Sequence, residues 1–438
     1  MSVINNLDYL SLLFSLTIVC AMKVGIQSYL SDSHLDAQIA SSQRQLSLAI
    51  SAIAEDRVAE LPLNLCLVLD RSGSMSEKPL AMVKEAAIGI VEKLKPGDRI
   101  SIVTFDHRAK TIIPNQLISN ANSIAPIKQK IRLMVADGGT SIDEGMRLGI
   151  KEIAAYNQHC VSRLFLLTDG ENEHGDNKRC LKLAALAAEY NITIDTLGFG
   201  EHWNQDVLEQ ISDSAQGTLA YIEKPDQAIV EFERLFARAQ SVGLTNGCLT
   251  VELMPKVRLA ELKPVAQVAP ETIELPIQLE GNHFSVRLGD LMIECPRIIL
   301  INFYINQLPP GRHKIAAVQL RYDDPGVSQE NLHSDIVTIE VESQNPYQPQ
   351  PSDLVQNHIL TLAKYRQTQI AETKLQHGDR AGAATMLQTA AKTALQLGDK
   401  QGATVLQTNA TRLQIGKDLS EGDRKKTRLA SKTILKNQ

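Results

Sequence analysis

The stretch LNLCLVLDRSGSMSE, residues 63–77, is a continuous apolar run that ends on an acid and is followed by serines at alternate positions. A continuous apolar run is typical of a central parallel strand that is covered on both faces. Side chains at alternate positions of an extended segment share one side of the backbone, so Asp70, Ser72 and Ser74 are expected to point the same way. The stretch therefore predicts a buried strand that ends in a carboxylate and two hydroxyls.

The residues around this stretch, 61–240, alternate between apolar strand-like runs and segments with helical spacing. Strands that alternate with helices indicate βαβ units and a mainly parallel sheet. RLFLLTD, residues 163–169, is a second apolar run that ends on an acid, Asp169. We therefore predict an α/β domain with a doubly wound, mostly parallel sheet over residues 61–240.

Oxygen donors from three loops are expected to meet at one edge of this sheet. Ligands of open parallel sheets bind beyond the carboxyl ends of the strands, where Asp70 and Asp169 both lie. The segment GGTS, residues 138–141, adds Thr140 from a loop before a helix. Carboxylates and hydroxyls are hard ligands that suit Mg²⁺ or Mn²⁺, and zinc is a poor fit because the set needs no His or Cys. The predicted metal ligands are Asp70, Ser72, Ser74, Thr140 and Asp169.

The order of these motifs, D-x-S-x-S after an apolar strand, then GGT, then LLTDGE, resembles the metal-ion-dependent adhesion site (MIDAS) of von Willebrand factor type A (VWA) domains. The resemblance covers about two fifths of the chain and implies a Rossmann-like fold. It implies that Ser72 and Ser74 bind Mg²⁺, Mn²⁺ or Ca²⁺ directly and that Thr140 binds it depending on an open or closed state. It implies that Asp70 and Asp169 act largely through waters. It leaves the sixth coordination position for a Glu or Asp of a partner protein.

The residues on either side of the α/β domain predict one antiparallel β-sandwich. Turn-separated strands without helical periodicity occupy residues 244–343. A strand pattern at residues 43–54 has no neighbouring strand to pair with, so residues 23–60 are expected to join the sandwich. The α/β domain is then inserted between two parts of one β-domain. This layout is similar to that of calcium-activated chloride channel-like and inter-α-trypsin-inhibitor-heavy-chain-like VWA proteins.

A proline-rich linker, residues 344–353, leads into a helical region that is predicted over residues 354–415. The segments GDRAGA and GDKQGA begin at Gly378 and Gly398. In each segment, the Gly is expected to end one helix while the Asp caps the next. The basic tail, residues 416–438, is interpreted as a frayed, solvated end.

Residues 1–22 contain an apolar run that leaves three alternatives: a wrongly assigned start with translation from Met22, a cleaved signal peptide, or an anchor. No Lys or Arg precedes the run, which is short for a membrane span. The six cysteines are scattered and form no C-x-x-C pair, which favours a reducing compartment. We therefore expect a cytoplasmic protein without a stable membrane span, or an exported one if the leader is a signal peptide.

Three functions remain open for the predicted site: a metal-dependent protein-binding module, a metal-dependent hydrolase or phosphatase, and a scaffold with a structural metal. A net charge of −5 and a pI of about 6.1 give no indication of nucleic-acid binding. Ser72 and Ser74 would be occupied as ligands, and the sequence contains no GxSxG or HExxH motif. These observations favour a binding module over an enzyme.

Several other side chains are expected near the same edge of the sheet. His107, His174 and His202 lie in predicted loops and are not expected to act as ligands or bases. Trp203, the single Trp of the chain, is interpreted either as partly buried or as an anchor for a partner.

Overall fold

The computed structural model describes residues 22–54, 61–293 and 295–433. The predicted leader therefore lies outside the described residues, except for Met22. The first described section forms three strands: β1 (Lys23–Leu30), β2 (His34–Asp36) and β3 (Ser41–Ile53). Leu46, Leu48 and Ile50 alternate along β3 and are fully buried, as expected for a strand with one face in a core. Burial of each of these side chains contributes about 1.5–3 kcal/mol to folding.

The second section is the predicted α/β domain. Its elements are β4 (Leu63–Asp70), α1 (Lys78–Lys93), β5 (Arg99–Phe105), β6 (Ala109–Leu117), α2 (Ile124–Arg132), α3 (Ile142–Ala154), β7 (Val161–Thr168), α4 (Asn177–Glu189), β8 (Ile192–Phe199), α5 (Gln205–Ser214), β9 (Gln216–Ile222) and α6 (Gln227–Gln240). The strand order is β6-β5-β4-β7-β8-β9, and neighbours are parallel except for β5 and β6. α1, α2 and α6 cover one face, and α3, α4 and α5 cover the other. Both faces of β4 are therefore buried, as its continuous apolar run predicts.

The antiparallel edge strand β6 lies in a segment for which the sequence pattern predicts no strand. The alternation of apolar and polar residues along β6 is interrupted by Pro114 and Asn115. Proline lacks the N–H that a central strand needs for its second neighbour, but an edge strand tolerates it. β6 pairs with β5 alone, so the proline does not prevent this strand from forming.

The third section is antiparallel. It contains β10 (Val242–Leu253), β11 (Val257–Leu259), β12 (Val265–Ala269), β13 (Ile273–Glu274), β14 (Gln278–Glu280), β15 (His283–Met292), β16 (Arg297–Asn306), β17 (Gly311–Asp324), β18 (Gln329–His333) and β19 (Val337–Gln344). One sheet has the order β1-β3-β16-β12-β13, with β11 beside β16. The other has the order β14-β15-β10-β17-β19-β2, with β18 beside β17. The two sheets share one apolar core.

The N-terminal strands belong to this sandwich, as predicted. β3 pairs with β16 from Ser41 opposite Asn306 to Ile50 opposite Arg297. β2 pairs in parallel with β19 at the far edge of the second sheet. Because β3 precedes the α/β domain and β16 follows it, the α/β domain is an insertion in the β-sandwich.

The last section is helical: α7 (Asp353–Gln376), α8 (Arg380–Gln396), α9 (Lys400–Gln414) and α10 (Glu421–Lys432). Gly378 and Gly398 adopt φ values of 79° and 76° after α7 and α8, where a residue with a Cβ is strained. The side chains of Asp379 and Asp399 cap α8 and α9. Among the described residues, no helix has the length and apolar character needed to cross a bilayer.

For the described residues 420–433, the interpretation of the basic tail as a frayed, solvated end is wrong. Ser420 and Asp423 form a capping box that starts α10. Arg428 pairs with Glu209 of α5 at 3.1 Å, and Lys432 pairs with Asp213 of the same helix at 3.0 Å. Arg428 and Lys432 therefore lie against an acidic face of the α/β domain instead of in water.

Candidate metal site

Asp70 anchors the first loop at the end of β4 and is fully buried. Its Oδ1 accepts a hydrogen bond from the backbone N–H of Ser72 at 2.8 Å. Its Oδ2 accepts one from the hydroxyl of Thr168 at 2.6 Å. Thr168, the last residue of β7, was not among the predicted site residues. Its position directly before Asp169 in the sequence could have identified it. Both carboxylate oxygens of Asp70 thus hold the chain in place around the site.

The side chains of Ser72, Ser74 and Asp169 converge at the carboxyl edge of the sheet. The hydroxyl oxygens of the two serines are 3.1 Å apart. Oδ1 of Asp169 lies 2.8 Å from the Ser74 hydroxyl and 3.3 Å from the Ser72 hydroxyl. Loops that follow two adjacent parallel strands therefore bring three oxygen donors to one point.

The loop that carries Thr140 lies against the first loop. Gly73 donates its backbone N–H to the carbonyl of Gly138 at 2.8 Å, and Gly138 has φ 72°, which glycine adopts without strain. The Thr140 hydroxyl packs against Gly170, where an added Cβ would lie 3.3 Å from it. Gly170 directly follows Asp169, so Thr140 adjoins the same cluster of oxygens.

The predicted ligands, apart from the deeper Asp70, line one open cavity. It has a volume of about 570 Å³ and includes Ser72, Ser74, Thr140 and Asp169 in its wall. Its rim contains acidic and imidazole side chains that the sequence places in neighbouring loops: Glu171, Glu173, Glu201 and His202. Ser74 is exposed and Asp169 is partly exposed, so the cavity opens the donor set to solvent on one side.

The charges in the site are not balanced by the protein. Burial raises the pKa of Asp70 to about 6, although hydrogen bonds from Thr168 and Ser72 oppose the shift. Burial also raises the pKa of Asp169, against hydrogen bonds from the two serines. Among the described residues, no Lys or Arg forms an ion pair with either carboxylate. A divalent cation fits this set because it supplies the missing positive charge to hard oxygen donors.

The donor set is distinct from a His- or Cys-rich metal centre. Within residues 22–54, 61–293 and 295–433, no group of three or more His, Cys, Asp or Glu side chains is arranged to hold a metal ion. The candidate site instead combines two carboxylates with three hydroxyls. Such hard oxygen donors suit a divalent cation that retains waters.

Two of the histidines pack on the glycine loop. The rings of His107 and His174 are 4.5 Å apart. Nε2 of His107 accepts the backbone N–H of Gly139 at 3.1 Å, and a Cβ on Gly139 would lie 2.5 Å from the His174 ring. The two imidazoles therefore shape the loop before Thr140.

Trp203 is buried, with 2% of its surface exposed, so the interpretation as an exposed partner anchor is wrong. Its indole N–H donates to the carbonyl of Gly200 at 2.8 Å. The ammonium group of Lys425 from α10 lies 4.0 Å from the centre of the Trp203 ring. It also donates to the backbone carbonyls of Glu201 and, at 3.1 Å, of Trp203. Helix α10 therefore holds the loop that carries the rim residues of the cavity.

Replacing Lys425 with Met is expected to lower the free energy of unfolding by about 1–3 kcal/mol, because two hydrogen bonds from a charged group and a cation–π contact are lost. Hydrogen exchange of the backbone amides of residues 200–204 is expected to accelerate. Lys426→Met is the matched control, since Lys426 forms an exposed pair with Glu223 at 2.8 Å. Equal exchange rates in the two variants would show that α10 does not hold the rim.

Two family models match the chain. The model described as "von Willebrand factor type A domain" matches residues 64–234, and the model described as "Sll0103-like, C-terminal alpha-helical domain" matches residues 353–437. The second match includes α10, which agrees with its packing as part of the helical region.

The chain is similar to several known proteins. It is 58% identical to "Uncharacterized protein sll0103" of Synechocystis sp. over 94% of this chain and 98% of that protein. It is 25% identical to human inter-alpha-trypsin inhibitor heavy chain H4 over 44% of this chain, but it spans only 22% of that protein. The solved structure of a von Willebrand factor type A protein from Catenulispora acidiphila has a TM-score of 0.79, with 18% identity over 95% of this chain and 98% of that chain. This last similarity shows the shared fold.

Proposed function

Since the chain belongs to the family of Sll0103-like proteins and carries a VWA domain, we propose that it binds a partner protein through a divalent metal ion. The observation that carries the proposal is the convergence of Ser72, Ser74 and Asp169 within 3.3 Å at the wall of an open cavity. VWA domains typically mediate protein–protein interactions, and the alignment covers almost the whole of the Synechocystis protein. The partner is expected to contribute a Glu or Asp carboxylate.

Each residue of the site has a distinct part in this proposal. Ser72, Ser74 and Thr140 present hydroxyl oxygens to the cation. Asp70 fixes the first loop through the Ser72 N–H and the Thr168 hydroxyl, and Asp169 orients both serines. Bound Mg²⁺ supplies a positive charge with a coordination position that a carboxylate can fill.

The acidic rim makes capture of an acidic partner dependent on the metal. Glu171, Glu173 and Glu201 are exposed around the cavity, and Asp169 lies in its wall. A carboxylate that approaches the metal-free site meets only repulsion from these groups. A divalent cation at the centre of the site neutralises the two site carboxylates and offers a coordination position to the incoming carboxylate, which lowers this barrier. A partner lacking an acidic residue gains nothing from the same ion.

Metal binding and partner capture can be tested with one set of variants. Wild-type protein is expected to gain thermal stability with MgCl₂, by about 2.7 kcal/mol at 100 times the Kd, and to retain a partner on an affinity matrix with Mg²⁺ but not with EDTA. Ser72→Ala and Asp169→Ala are expected to lose both effects. Ser76→Ala is the matched control, because its hydroxyl bonds to the carbonyl of Gly73 and lies outside the donor set.

The other two functions predict different results in the same experiment. A structural metal leaves partner capture intact when Ser72→Ala abolishes metal binding. A hydrolase shows Mg²⁺-dependent turnover of phosphoesters or peptides that is lost in Asp70→Ala. Either result contradicts the binding-module proposal.

A further inference from the structure

A second cavity lies between the α/β domain and the β-sandwich, away from the candidate metal site. Its volume is about 550 Å³, which is within the range of small-molecule pockets. The side chains of four arginines line it: Arg238 from α6, Arg287 from β15, Arg297 from β16 and Arg321 from β17. Arginines from both domains therefore line one cavity.

The carboxylates in the cavity wall are engaged mostly by other cations. Asp213 pairs with Lys432 of α10 at 3.0 Å. Glu274 pairs with Arg366 of α7 at 3.0 Å. Neither Lys432 nor Arg366 is part of the cavity wall, so these two carboxylates do not neutralise the four arginines.

The third carboxylate, Glu271, forms an ion pair with one of the four arginines. Glu271 lies 3.7 Å from Arg238. Arg287, Arg297 and Arg321 form no ion pair with a carboxylate of the residues that the structure describes, and their hydrogen bonds go to neutral groups. Arg297 donates a hydrogen bond to the backbone carbonyl of Asp290. The buried carboxylate of Asp290 pairs instead with Arg163 at 2.9 Å. The cavity is therefore positively charged.

Some of these guanidinium groups lack the hydrogen-bond partners that buried polar groups normally have. The Nε atoms of Arg238 and Arg287 are buried and have no hydrogen-bond partner. Arg297 is 3% exposed, and burial lowers its pKa to about 10, with a further contribution from the charge of Arg238. Unpaired buried donors and charges are costly, so a bound group that satisfies them is expected in the native protein.

Two of the arginines lie on the strands that pair with β10 on either side, both opposite Cys248. Cys248 of β10 is opposite Arg287 of β15 and also opposite Arg321 of β17. Residues two strands apart in a sheet are about 10 Å apart, which a small ligand with two anionic groups can bridge. Arg238 and Arg297 lie in the same cavity, so further contacts to such a ligand are available.

We propose that this cavity binds a small molecule with two or more oxyanion groups, a phosphate ester or a polycarboxylate, held by arginines of both domains. A planar guanidinium group binds two oxygens of an oxyanion at once. Several arginines therefore fit a ligand with several oxyanion groups better than they fit a single halide ion. A ligand in this position contacts α6 and the sandwich together and stabilises their junction. The proposal is independent of the metal site.

The test uses the full chain in EDTA, so that the candidate metal site does not contribute. Sodium pyrophosphate and sodium citrate are titrated against sodium chloride at matched ionic strength, with thermal unfolding and isothermal titration as readouts. Saturable stabilisation by pyrophosphate, citrate or both is expected. The stronger of the two identifies the phosphate or the polycarboxylate class.

Variants assign this effect to the cavity. Arg321→Gln and Arg287→Gln are expected to weaken binding of the effective anion at least tenfold, which is the loss of one charged contact of about 1.4 kcal/mol. Arg258→Gln is the control, because Arg258 is on the same sandwich, is more than half exposed and lies outside the cavity. Stabilisation that does not saturate, or that is equal in all three variants, overturns the proposal.

Discussion

Replacing Arg163 with Leu is expected to lower the free energy of unfolding by about 3–5 kcal/mol. Arg163 of β7 is 2% exposed and its guanidinium pairs with two buried carboxylates, Asp195 at 3.1 Å and Asp290 at 2.9 Å. Asp290 belongs to the sandwich strand β15, so the triad connects the two domains. Removing the cation leaves both buried carboxylates without their ion-pair partner, which is the costly case for a buried ion pair. Chemical denaturation of the two proteins measures the loss.

Two further variants separate the buried charges from the loss of a side chain. Arg147→Leu removes an exposed arginine that pairs with Glu144 at 2.8 Å, and its expected cost is about 0–1 kcal/mol. A triple variant that also replaces Asp195 and Asp290 with Leu is expected to recover part of the lost stability, since the three charges of the triad are then removed together. If Arg163→Leu costs no more than Arg147→Leu, the triad does not stabilise the junction.

The α/β domain was predictable because its signals are local and one topological rule joins them. The apolar run before Asp70 and the one before Asp169 each identify a buried strand from neighbouring residues alone. The rule that parallel strands end at one edge then predicts that their acids meet. In the structure, Asp169 contacts Ser72 and Ser74, which follow Asp70 in the first loop. The insertion in the sandwich followed from the same kind of local pattern in β3.

The packing of the C-terminal helix was not predictable from local pattern, because its partners are distant in the chain. Lys425, Arg428 and Lys432 share one face of α10, and a run of cations reads locally as a solvated surface. Apart from Glu372 of α7, which pairs with Arg428, their acceptors lie in and before α5, for example Glu209, more than two hundred residues earlier. The helical spacing of these three basic residues, together with the capping box, could have indicated that a helix with a buried polar face follows residue 420.

Replacing Asp399 with Ala is expected to lower the free energy of unfolding of the helical region by about 3–5 kcal/mol. Asp399 is fully buried, and its carboxylate pairs at 2.9 Å with the ammonium group of Lys364, which is also fully buried. Burial lowers the pKa of Lys364, and the hydrogen bond that Lys364 donates to Asp399 opposes that shift. Without Asp399, the helical region must bury an unpaired ammonium group or fold with Lys364 deprotonated. Denaturation followed by far-UV circular dichroism measures the loss.

The repeated GD segment supplies the matched control, Asp379→Ala. Asp379 caps α8 through the N–H of Gly382 at 2.8 Å, just as Asp399 caps α9 through the N–H of Gly402 at the same distance. Asp379 also pairs with a lysine, Lys374 at 2.7 Å, but this pair is exposed to solvent. The two variants therefore lose the same cap and the same kind of ion pair, and they differ in burial. A much smaller loss for Asp379→Ala is expected, and equal losses would show that the cap, and not the buried charge, makes this position important.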